Sequence, residues 1–407
     1  MRARFWNLHD RNRVKGLFSS QAHSQPTMSI RKMSRKNVFL VALVAAFSPG
    51  FVHAQYLGYS FHADAKKGEQ LYRESGCKSC HGPDGRGAPK AIAGFEQPST
   101  FPDFSKCDQT TPEVNSAYKD VIVHGGPSRG FSQIMPAFGE ALSSEQIDDL
   151  IAYLRTFCTS RRWPRGELNL PRAMVTEKAY PEDEVVLSTA VNANGEPGNE
   201  THIIHEQRFG VNNQIEVDVP IEFQDQNRVW YGGVGDATLG AKRVMYSNLN
   251  SGSILSLFGG LLIPSGNRAR GFGSGTTTFE TFAAFDQLFK SDTFIQTQFG
   301  AELPFHTSIA PQSLFFNTAI GQSFGANHGL GRLWTPMFEF IANRDLMTRA
   351  KTDWDLIPQI QVTISHRQHI RGDLGLRIPA NDTTGRQKQI VFYLLWDWQD
   401  GKLNEGW

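Results

Sequence analysis

The sequence predicts two joined domains of different class: an all-α domain over residues 60–160, then an antiparallel β-barrel of about 12 strands over residues 184–407. Three observations predict it. Amphipathic segments at helical spacing flank the pentad Cys77-Lys78-Ser79-Cys80-His81. Past residue 183 the apolar period falls to two. Residues 161–183, with Pro164, Pro171 and Pro181 in a charged stretch of no sustained period, read as the linker.

Composition excludes little else. The 407 residues carry 41 basic and 40 acidic side chains, so no single-sign partner such as a nucleic acid is implied. Residues 1–54 read as an extension plus a secretory signal peptide. From Met33, Arg35 and Lys36 form the positive region, Val38 to Phe47 the apolar core, and Val52-His53-Ala54 the cleavage site. That core is too short to span a bilayer. Translation is expected to start at Met33 or Met28, and the exported chain to begin near Gln55.

The C-x-x-C-H spacing of residues 77–81 is the attachment signature of a c-type haem: two thiols for the vinyl groups and an adjacent imidazole for the iron. A dithiol redox pair would not require the His. Half of a zinc site would need further ligands, and no second C-x-x-C supplies them. One covalent haem c is therefore expected. Around it, residues 65–76 place Gly68, Leu71 and Tyr72 on one helical face, and Gly76 ends that helix. Residues 81–112 are loop-like. A short helix is predicted from Pro112 to Val123, ended by Gly125 and Gly126. Ser144 is expected to cap a last helix with Ile147, Leu150, Ile151 and Leu154 on its apolar stripe.

With these residues in place, the segment 60–160 resembles a class I cytochrome c. The resemblance implies that the first and last helices cross closely, Gly68 and Tyr72 against Leu150 and Tyr153. It also implies a distal thioether ligand before the last helix, a position that Met135-Pro136 occupies. His81 and Met135 are then the axial pair, with His124 the rival for the distal place and a core-filling role the other reading of Met135. Pro89 resembles the family proline whose carbonyl accepts the proximal imidazole N–H. Haem attachment leaves Cys107 and Cys158, an even pair in an exported chain. A disulfide is expected, two separate buried thiols being the alternative.

In the second half, Ile215, Val217, Val219, Ile221 and Phe223 alternate with polar residues. So do Ile295 to Phe305, Trp354 to Ile364 and Ile370 to Ile378. These runs match the roughly ten-residue tilted strands of outer-membrane barrels. Asn250-Ser251-Gly252, Ser265-Gly266-Asn267 and Asn381-Asp382 mark turns. Trp230, Tyr231, Trp334, Trp354, Trp396 and Trp398 fall near strand ends, as in an interfacial girdle, and Trp407 resembles a barrel-assembly signal. A soluble two-sheet protein would show the same alternation, since a barrel only inverts which face meets water. Strand length and the hairpin meander favour the barrel. Ile360, Val362, Ile364, Leu374 and Leu376 would then face lipid, and Glu216, Asp218, Glu302, Arg371, Asp373 and Arg377 the lumen.

The whole exported chain resembles the fused cytochrome–porins of the outer membrane. That resemblance implies an electron carrier, with metal-ion oxidation as the enzymatic option. Its haem domain is expected on the periplasmic side, with a periplasmic electron-transfer partner, contact with outer-membrane lipid and an extracellular donor or acceptor. A solute-transport porin with a docked cytochrome, and a periplasmic cytochrome with a β-sheet partner-binding domain, are the alternatives.

Overall fold

The computed structural model describes residues 63–406, apart from 99–100, 161, 290–291, 325–332 and 384. The expected signal peptide and Trp407 lie outside the described residues. Among the described residues six α-helices precede the strands: α1 (Ala65–Glu74), α2 (Cys77–His81), α3 (Lys90–Ala93), α4 (Cys107–Thr110), α5 (Asn115–His124) and α6 (Ser144–Leu154).

Local chemistry sets the helix bounds. The Asp64 carboxylate accepts the Lys66 N–H at the start of α1, and Gly76, at φ +80°, turns the chain into α2. The cap of α6 is Ser143, one residue before the Ser144 expected. A capping box needs Gln at the third helical position, and only Ser143 stands three before Gln146; both reciprocal hydrogen bonds form. Helices α1 and α6 cross where Gly68 sits, because a Cβ there would collide with the Asp149 carbonyl. Tyr72 packs edge-on against Tyr153, at 5.3 Å between ring centroids. Tyr72, Phe104, Ile122, Ile147, Leu150, Ile151 and Leu154 form the domain core. The Cys107–Cys158 disulfide is present, joining α4 to the segment after α6. Closing 51 residues of chain contributes about 4 kcal/mol on the chain-entropy account.

Strands follow as β1 (Glu184–Asn192), β2 (Gly198–Phe209), β3 (Asn213–Gln226), β4 (Val229–Val234), β5 (Ala237–Asn248), β6 (Ser253–Ile263) and β7 (Thr278–Leu288). The rest are β8 (Thr293–Pro304), β9 (Ser313–Gln322), β10 (Trp334–Asp345), β11 (Asp353–Thr363), β12 (Ile370–Pro379) and β13 (Gln389–Asp397). All pair antiparallel, and β1 pairs with both β2 and β13, which closes the barrel. Of the thirteen described strands, twelve make the ring. The thirteenth, β4, pairs with the far end of β3 while β5 takes its near end. Asn227 and Arg228, both at positive φ, form the two-residue turn of that extra hairpin.

The alternation resolves in favour of the inverted arrangement. Phe299, Leu374 and Leu394 point outward and are more than half exposed, whereas Glu206, Gln214, Asp286, Gln296, Asn317 and Glu339 point inward and are fully buried. Ile360 and Leu376 lie outward, and Glu216, Asp218, Glu302, Asp373 and Arg377 lie inward, as expected. No helix among the described residues is long and apolar enough to cross a membrane.

The expected linker is an interior element instead. Residues 166–182 run into the lumen and back out at the end of the barrel where Glu184 of β1 pairs with Asp397 of β13. Tyr180 donates its hydroxyl to the Pro164 carbonyl where the two limbs meet. At the tip, the Glu339 carboxylate, midway along β10, accepts the N–H groups of Met174, Val175 and Thr176 and the Thr176 hydroxyl. Leu168 and Tyr180 pack against Phe258, Phe282 and Phe315, and Met174 and Val175 against Ile204, Ile341 and Tyr393. Burying each large apolar side chain there contributes roughly 1.5–3 kcal/mol. Arg172 reaches Glu184 at 2.6 Å and Glu206 at 2.9 Å, and Lys178 pairs with Glu182. The proline-rich, charged sequence suits a polar lumen as well as it would suit solvent, and periodicity alone does not distinguish them.

Candidate haem site

Helix α2 is a single turn, and one turn brings residues three and four apart onto one face. Cys77, Cys80 and His81 therefore project together. The turn is fixed from both sides. Gly76 enters it in the left-handed region, and the buried Tyr72 hydroxyl donates to the Gly82 carbonyl at 2.7 Å. The loop after it folds back, with Gly87 N–H donating to His81 O and Ala88 N–H to Cys80 O. Gln97 holds that loop by donating to the Ala88 carbonyl at 2.7 Å.

The His81 ring lies against Phe101 at 4.9 Å and Phe104 at 5.2 Å between centroids. Burial without an anionic partner pushes its pKa down to about 4, so the ring is neutral at physiological pH and keeps a lone pair for a metal. Its Nδ1 is buried without a hydrogen-bond partner. Burial also raises the Cys77 thiol pKa. Cys77 and Cys80 remain free, while the other two cysteines are bridged. Two free thiols, a neutral imidazole and an orphaned ring nitrogen on one turn fit a thioether-bound haem.

Met135 lies in the segment between α5 and α6, half-buried against the same apolar core that Cys77 touches. Its carbonyl accepts the Gly126 N–H at 3.0 Å and its own N–H reaches Ser132 O at 3.3 Å. A Cβ at Gly126 would collide with Ser132 O, so glycine is what lets the segment pack so close. His124 points elsewhere: its side chain is 57% exposed and its Nε2 sits 4.0 Å from Asp120. Pro89 caps α3, and its carbonyl accepts the Ile92 and Ala93 N–H groups; no hydrogen bond joins it to His81 Nδ1.

The site does not stand clear of the barrel. Gly166 N–H donates to Thr111 O, and the Glu167 carboxylate accepts the Asn115 N–H at 3.1 Å. Arg208 of β2 donates to the Asp108 carbonyl at 2.9 Å. The helical domain thus packs on the barrel mouth where β1 begins and β13 ends. No motif marks these contacts in the sequence; the Leu168-x-Leu170 and Ala173-Met174-Val175 runs inside a supposed linker were the only hint that it is buried.

Residues 65–157 match the family model for cytochrome c. No curated protein matches the sequence. Among solved structures, the KdgM porin in complex with disordered oligogalacturonate is similar at 8% identity and a TM-score of 0.36, over 52% of this chain and 98% of that one. The NanC porin is similar at 7% identity and 0.38, over 52% and 98%. The COG4313 outer membrane channel from Pseudomonas putida F1 is similar at 13% identity and 0.38, over 54% and 97%. The barrel itself rests on its strand pairing. The chain is a helical domain that matches the cytochrome c family over residues 65–157, joined to a closed twelve-stranded antiparallel β-barrel.

Proposed function

We propose that this protein is an electron carrier of the outer membrane. Its haem domain sits at the periplasmic mouth and exchanges single electrons with a periplasmic partner and with a donor or acceptor at or beyond the membrane. The arrangement of α2 carries this reading: two free thiols and a neutral imidazole share one turn. Cys77 and Cys80 would hold one haem covalently, His81 would be its proximal ligand and Met135 its distal one. Held by these residues, a haem would supply one-electron transfer without offering an open position to substrate. The chain's own residues keep water from it: Phe101 and Phe104 cover His81, and Tyr72 fixes the turn.

The outward apolar face supports insertion in a bilayer, and strands of nine to fourteen residues in the ring suit one. Both ends of the barrel strand order lie on the side where the haem domain packs, which supports a periplasmic site for that domain. The transport alternative meets the segment 166–182, which fills the lumen to mid-height and would have to move for solute to pass.

Purified holoprotein tests the carrier reading. The expected result is one haem per chain by pyridine haemochrome, a one-electron Nernst titration, and a ferrous form that does not bind carbon monoxide. Ready carbon monoxide binding would show an open position and point away from a carrier.

A further inference from the structure

The last residues of the chain follow β13 and belong neither to the barrel wall nor to the haem domain. They fold back across the turn between β11 and β12. His366 N–H donates to Gly406 O at 2.7 Å, and His369 Nε2 lies 3.1 Å from Lys402 O. Within the turn, Ser365 Oγ and His369 Nδ1 are 2.8 Å apart and Ile370 N–H donates to Ser365 Oγ. Turn and tail therefore brace each other, and Arg367 projects from the braced pair.

Arg367 is only 8% exposed. Its Nη1 pairs with Glu405 of the tail at 3.1 Å, and its Nη2 donates to the Gly130 carbonyl of the haem domain at 2.9 Å. The guanidinium lies 4.6 Å over the Phe131 ring. Gly130 in turn packs on the tail, where an added Cβ would meet Gly406 Cα at 2.5 Å. From Phe131 the contact continues inward. Phe131 N–H donates to Gly126 O, and Gly126 N–H donates to Met135 O.

We propose that Arg367 and the C-terminal tail are positioning elements for the Met135 segment. The barrel mouth grips the loop that presents the thioether, and the order of that loop depends on the barrel to which it is docked. Part of the potential of the carrier is then set from the barrel, by a residue more than two hundred positions away in sequence. This rests on the reading of Met135 as distal ligand, and the test separates the two. Arginine suits the task because its planar fork serves the carboxylate, the carbonyl and the ring at once, which a lysine ammonium does not.

The test compares Arg367→Ala, Arg367→Lys and Phe131→Leu with the parent holoprotein, keeping only variants whose barrel still migrates faster before boiling than after. Hydrogen exchange of residues 126–136 is expected to quicken about tenfold in Arg367→Ala, the effect of losing one charge-assisted hydrogen bond. Arg367→Lys and Phe131→Leu are expected to quicken it less. The thioether–iron charge-transfer band and the midpoint potential should fall in the same order. Faster exchange with an unmoved band and potential would overturn the claim that the grip tunes the haem. A parent protein with no such band would count against Met135 as the ligand while leaving the exchange test of the grip standing. Unchanged exchange over residues 126–136 in Arg367→Ala would overturn the proposal whatever the spectrum.

Discussion

Replacing Arg172 by Ala is expected to destabilise the protein by about 3–5 kcal/mol, because it removes the cation from a buried cluster and leaves the charges it faced. Arg172 is 2% exposed and touches Glu184 and Glu206, both of them fully buried, with Glu177 3.5 Å from its Nη2. Those side chains belong to the lumen segment, to its exit and to β2, so one guanidinium ties the segment to the wall. The Arg172→Lys variant should lose less, keeping the charge without the fork. The temperature at which the fast-migrating barrel converts to the slow unfolded band is the measurement, and an unchanged temperature would remove Arg172 from the lock. The same loosening should show in a planar bilayer as greater conductance than the parent, since Arg172 lies just before the tip held by Glu339.

Met135→Ala is expected to abolish the thioether–iron charge-transfer band and to lower the midpoint potential. The shift should be on the order of a hundred millivolts, within the roughly 0.8 V that axial ligands span. The helical fold should survive, because Met135 is half-buried and contributes its backbone, not its side chain, to the hydrogen bonds with Gly126 and Ser132. His124→Ala is the control and should change neither property, given its exposed side chain on α5. A band and potential that persist without Met135 would return the distal place to another residue.

Much of this architecture is legible in the sequence because each half repeats one physical period. Ile147, Leu150, Ile151 and Leu154 lie on one helical stripe and are all buried together. Glycine marks the turns that flank the pentad, at Gly76 and Gly82, because both need positive φ. The strand alternation was equally plain, but which face met water was not. That depends on closure of the sheet, a pairing between β1 and β13 some two hundred residues apart. The lumen segment escaped for a related reason. Residues 175–178 show no period because the run passes from one wall strand to the next. Val175 and Thr176 meet Glu339 of β10, Glu177 meets Gln298 of β8 and Lys178 meets Lys242 of β5. An aperiodic polar run looks the same in a polar lumen as in water. The Arg367 grip was hidden by distance, since nothing local links residue 367 to Gly130.

Haem-stained gels of outer membranes washed with alkaline carbonate bear most directly on the joining of a cytochrome c domain to a membrane barrel. The band that stains for covalent haem is predicted to remain with the washed membranes and to migrate faster before boiling than after. Haem stain recovered in the osmotic-shock fluid, in a chain with one mobility regardless of heating, would contradict it.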